Sequence, residues 1–116
     1  MPAPSQLAIA SGSVTRLLKE EASYHTELGS QEAEIARLEE SVQKGDNDDD
    51  GNAAFMLKQN RTALEQTRAV FAPLRERIKT AVAKLKDQIA LAEEAGGSDE
   101  LESARKVLRD AEASLE

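Results

Sequence analysis

The chain has 116 residues, 40% apolar and only 3% aromatic, with no cysteine; that is enough for one domain with a modest core, and it excludes disulfides and thiolate metal centres. Charged residues reach 32% and the net charge is −7, which opposes binding to a nucleic-acid backbone. No apolar run approaches the roughly 18 residues of a membrane span, and the opening MPAPSQL lacks both the basic and the apolar stretch of a secretory signal, so a soluble, cytoplasmic, single-domain protein over residues 1–116 is expected.

A first helix is expected over about residues 5–44. Heptads counted from Leu7 place Val14, Glu21, Leu28, Ile35 and Val42 at a, and Ala10, Leu17, Tyr24, Gln31 and Leu38 at d. All but Glu21 and Gln31 are apolar, which marks a long amphipathic helix. Ser5 after Pro4 supplies an N-cap and Gly45 a C-terminal stop. Polar seam residues specify register at some cost in stability. If the chain folds back about residue 48, Glu21 lies opposite Arg75, and the two are expected to pair.

Residues 45–52 form an acidic connection, GDNDDDGN. The spacing Asp46-x-Asp48-x-Asp50-Gly51 matches the first half of a calcium loop. The twelfth position, which must bring a bidentate carboxylate, is Leu57. The aspartates instead suit the start of the next helix, where negative charge is favoured by about 0.3–1 kcal/mol per site.

The second helix, about 53–95, carries Leu57, Leu64, Phe71, Ile78, Leu85 and Ala92 at intervals of seven. Pro73 lies inside it and predicts a kink rather than a break, because the stripe continues past it. Gly96-Gly97 ends this helix. A third, about 98–115, is capped by Ser98 or Asp99, with Asp99 and Glu102 at capping-box spacing. Its stripe is Leu101, Ala104, Leu108, Ala111 and Leu115. Short connections make consecutive helices antiparallel, so the fold class is all-α: an up-down-up three-helix bundle with two long helices and a shorter third.

Residues 53–97 carry eight basic and five acidic residues, whereas both flanking helices are net acidic, so the second helix is expected to pair with both neighbours. The third helix covers only part of the hairpin. Ile35, Leu38, Val42, Phe55, Leu57 and Leu64 would then lack a third covering element, which points to self-association or client binding there. Catalysis finds no support: one histidine and no G-x-S-x-G, Walker or zinc spacing are present. His25 reads as a helix-surface residue, and Glu20-Glu21 and Glu39-Glu40 as solvated faces. No cofactor, metal, nucleic acid, membrane or small-molecule substrate is expected.

The order of residues resembles the tubulin-binding cofactor A family, also called tubulin-specific chaperone A. The run from Ile9 to Glu27, IASGSVTRLLKEEASYHTE, is similar to the family's first helix, and Gln31-Glu32 continues the match. Leu57-Lys58-Gln59, Glu65-Gln-Thr-Arg68, Pro73 and Arg77-Ile78 fall where similar proteins have L/I-K-x-Q, E-x-x-R, an interior proline and a basic-apolar pair. The stretch ARKVL from Ala104 to Leu108 resembles the closing helix. The acidic loop and Phe55 depart from the aspartate-proline-tyrosine pattern common there, so no loop-borne function carries over. The resemblance implies a non-enzymatic chaperone of the cytoplasm and cytoskeleton that binds β-tubulin after chaperonin release, without ATP, and hands it on to other tubulin-folding cofactors. It points to Arg16, Lys19, Glu20, Tyr24 and Glu27 on helix 1 and Lys58, Glu65 and Arg68 on helix 2 as contacts, although Tyr24 at a d position suits the core better. The alternatives are a generic coiled-coil adaptor or dimerisation module and a weak divalent-cation binder.

Overall fold

The computed structural model describes residues 5–45 and 51–116, in which the chain forms three helices: α1 (Gln6–Lys44), α2 (Asn52–Glu94) and α3 (Leu101–Leu115). The four loop aspartates and the half calcium loop lie outside the described residues. Leu57, however, is buried in an apolar cluster, and no group of three His, Cys, Asp or Glu among the described residues could hold a metal ion.

The helix ends follow from local chemistry. The Ala8 amide donates to Ser5 Oγ at 3.0 Å, satisfying one of the free donors of the first turn. Gly45 leaves α1 at φ +69°. At the end of α2 the Gly97 amide donates to the Ala92 carbonyl at 2.8 Å and the Gly96 amide to that of Glu93 at 3.1 Å. With Gly96 at φ +99°, these bonds form a Schellman motif. α2 runs through Pro73 as one helix.

The capping box expected on α3 does not form. α3 starts at Leu101, and the N-cap residue is Glu100, with no side-chain cap. Ser98 is used one turn earlier: its Oγ accepts from the Glu100 amide at 3.3 Å and its carbonyl from the Leu101 amide at 3.2 Å. The Glu100 carboxylate accepts a 2.8 Å bond from the Ser5 hydroxyl.

The chain packs as two compact units, residues 1–21 with 72–116, and residues 22–71. In the first, Ser5 meets Glu100 and Glu21 meets Ser114, so α1 and α3 run in the same direction. Arg105 pairs with Glu93 at 2.7 Å and Lys86 with Glu112 at 3.3 Å, so α2 runs against α3. This is the expected up-down-up arrangement. Val14, Leu74, Ile78 and Leu85 are at most 2% exposed, each contributing about 1.5–3 kcal/mol by burial. Ala104 and Ala111 let α3 approach closely, and both are buried.

The expected Glu21–Arg75 pair is absent. Glu21 accepts from Ser114 Oγ at 2.7 Å, while Arg75 donates to the Leu115 carbonyl at 2.9 Å. Both groups are taken by the last turn of α3, an element the hairpin register left out.

In the second unit two helices close their own core. Ile35, Leu38, Leu57 and Leu64 are 3–8% exposed, with Leu28 and Val42 packed against them. As expected, no third helix covers these four residues, yet they are buried between α1 and α2. Phe55 does stand out, 59% exposed. Phe71 lies between Tyr24, edge-on at 6.4 Å, and His25, whose exposed ring sits 4.5 Å away. Among the described residues the charge expectation holds in three of the four inter-helix ion pairs, Arg61–Glu39, Arg77–Glu20 and Lys86–Glu112, which join an α2 cation to an acid of α1 or α3; Arg105–Glu93 is reversed.

Candidate functional site

The eight residues singled out in the sequence fall on two helical surfaces. In the three-helix unit, Arg16 and Lys19 are exposed. The Arg16 guanidinium reaches Ser13 Oγ at 3.4 Å, and Glu20 stands 3.6 Å from Arg77. Lys19 makes no ion pair among the described residues. In the two-helix unit, Glu27, Lys58, Glu65 and Arg68 are exposed. Tyr24 is half-buried, its ring edge-on to Phe71 at 6.4 Å.

The structure joins some of these and separates others. Lys58 and Glu65 line one shallow depression along α2 with Arg61, Thr62, Gln66 and Ala69. Arg68 pairs with Glu65 at 3.0 Å at its edge. Glu27 takes no part in it. A second surface was not read from the sequence: in the three-helix unit an open groove runs between α1 and α2 over Ala10, Leu17 and Ala81, with Ile9, Thr80 and Lys84 among its walls. Its signal was present in Ile9, an apolar residue off the heptad seam.

Both surfaces consist of alternating charges, hydroxyls, amides and short apolar side chains on rigid helices. On the same two-helix unit Arg37 grips Glu34 through Nε at 3.0 Å and a terminal nitrogen at 2.5 Å. That hydrogen bond, reinforced by the guanidinium charge, holds the Glu34 carboxyl below its ordinary value. The Arg37 pKa is raised in turn. No helix among the described residues is long and apolar enough to cross a membrane.

Comparison with known proteins identifies the pattern. The family model described as tubulin binding cofactor A matches residues 2–108. Among solved structures, tubulin folding cofactor A from Arabidopsis thaliana is similar to this chain with a TM-score of 0.70 and 30% sequence identity, covering 92% of each chain. No curated protein matches the chain.

Proposed function

Because this chain belongs to the tubulin binding cofactor A family, we propose that it is a tubulin-folding chaperone that holds β-tubulin folding intermediates after chaperonin release. The observation that carries this reading is the match over residues 2–108, supported by a three-helix relative aligned over 92% of both chains.

The mechanism is stoichiometric binding. A bundle that prefers one conformation of its client shifts the client's equilibrium by its differential affinity alone, with no nucleotide consumed. Rigid helices present the contact groups with little ordering entropy lost on association. Arg16, Lys19, Glu20 and Glu27 on α1, and Lys58, Glu65 and Arg68 on α2, are available for this role; Tyr24 contributes by fixing Phe71 beneath the surface.

The test is capture from a cytosolic extract on immobilised protein with ATP depleted. The expected result is β-tubulin in about one-to-one ratio with the bait. Failure to retain tubulin, or retention only with ATP, defeats the proposal and leaves a helical adaptor as the better account.

A further inference from the structure

Phe55 points directly away from the seam of its own helix pair. It is 59% exposed, and Leu64 of the buried cluster lies nine residues further along α2, which is about two and a half turns. The ring therefore stands half a turn round from the core of the two-helix unit. Its backbone is fixed, the amide donating to the Gly51 carbonyl at 3.0 Å. Among the described residues the side chain belongs neither to the ring contacts nor to the apolar cluster of this unit. A large aromatic side chain held in place yet unpacked adds little to the fold and is suited to anchor a partner.

The charge around it has one sign. From Asn52 to Leu64, α2 carries two cations, Lys58 and Arg61, and no acid, in a chain whose net charge is −7. Arg61 is matched by Glu39 of α1 at 3.4 Å. Lys58, one turn beyond Phe55, makes no ion pair or side-chain hydrogen bond among the described residues. Phe55, Lys58, Thr62, Glu65 and Ala69 follow one another at helical spacing, and the last four line the shallow depression of α2. Glu65 is already matched by Arg68. The head of this stripe thus holds an aromatic ring and one unmatched cation.

We infer that Phe55 is the anchor by which the chain grips its client, the ring entering an apolar recess of incompletely folded β-tubulin and the Lys58 ammonium meeting a carboxylate at the rim of that recess. The inference rests on the tubulin reading and adds a means of telling unfinished client from finished. A folding intermediate exposes apolar surface that the native fold later covers. An aromatic anchor therefore supplies the differential affinity that a chaperone without nucleotide needs. Anchors of this kind carry a large share of the binding at an interface, while the adjoining cation decides which apolar recesses are accepted. A second copy of the chain is the poorer occupant: it offers the same stripe, whose unmatched charge is again Lys58, and like charges repel. Of the two roles expected for this arm, client binding is the one its charge supports.

The test compares retention of two probes by the immobilised full chain, β-tubulin diluted from denaturant and native tubulin. Phe55→Ala is expected to weaken retention of the diluted β-tubulin about tenfold and to leave the weaker hold on native tubulin unchanged. Phe55→Leu, which stays apolar, keeps most of the preference. Lys58→Met keeps the stem but removes the charge, so retention falls at low salt and its salt dependence flattens. Both positions are exposed, and thermal melts should hardly move. If the natural chain retains neither probe, the tubulin reading falls and the inference falls with it. Where the natural chain does bind, undiminished retention by Phe55→Ala, or an equal loss on both probes, overturns the inference alone. So does self-association of the natural chain in sedimentation that Phe55→Ala abolishes.

Discussion

Glu21 on α1 and Ser114 on α3 stand 93 positions apart in the chain and share a 2.7 Å hydrogen bond. Glu21 is only 5% exposed, and its other carboxylate oxygen has no partner. One neutral donor does not offset the desolvation of a carboxylate. Glu21→Leu is therefore expected to stabilise the fold by about 1–2 kcal/mol. Ser114→Ala, which strips the remaining donor, destabilises by about 1–2 kcal/mol. Combined with Glu21→Leu, the Ser114→Ala change becomes nearly silent, because the contact it removes is already gone. Thermal melts of the two single variants and the double variant give the signs; a less stable Glu21→Leu protein contradicts the account.

Glycines separate by backbone conformation. Gly12 lies inside α1, and a Cβ there meets nothing within 4 Å. Gly12→Ala should stabilise by about 1 kcal/mol through helix propensity. Gly96 has equal space but sits at φ +99°, so Gly96→Ala costs about 1–2 kcal/mol by forcing a side chain into left-handed backbone. Urea unfolding of the two variants should move in opposite directions.

For the client, Lys58→Glu and Arg16→Glu are each expected to lower tubulin capture about fivefold, the effect of reversing one interface charge. Both positions are exposed, so melting temperatures should hardly change. Capture at full strength by both variants would remove these faces from the binding surface.

The Glu34–Arg37 pair sets a pH dependence. A carboxyl held below its ordinary value in the folded chain binds its proton more readily when unfolded. Its stabilising effect is therefore complete above the unfolded value and is lost as pH falls through the folded one. The stability difference between the natural chain and Glu34→Gln should be constant at neutral pH and vanish on acidification below the carboxylate range. Because the pair is on the surface, high salt should shrink it as well.

Periodicity was informative wherever one stripe served one seam. The ends of α1 and α2 lie within one residue of expectation, since Ser5, Gly45 and Gly96 act through their own backbone neighbours. α3 began three positions late because Ser98 can cap a turn as well as a helix, and only the distant Ser5 hydroxyl decides where Glu100 points. The partner of Glu21 was missed for a related reason: hairpin register pairs α1 with α2, whereas a buried carboxylate takes the nearest donor, which α3 brought. Lys58 and Arg16 were singled out by the family resemblance, and spacing added only that they lie off the apolar seams. The groove could not be read from spacing, because it arises where α1 and α2 lie side by side.

The discontinuous make-up of the three-helix unit bears on how the chain is made. Residues 22–71 are continuous and can zip into a hairpin while the rest is still emerging from the ribosome. Residues 1–21 must wait, because Ser5 and Glu21 find their partners only at Glu100 and Ser114, separations of 95 and 93. Contacts between such remote positions form late and slowly. During that interval the apolar side of the newly made N-terminal segment, with Leu7 and Val14 at its centre, is without its final cover. A nascent chain stalled before position 101 should bind general holdases, and one in which α3 has emerged should not.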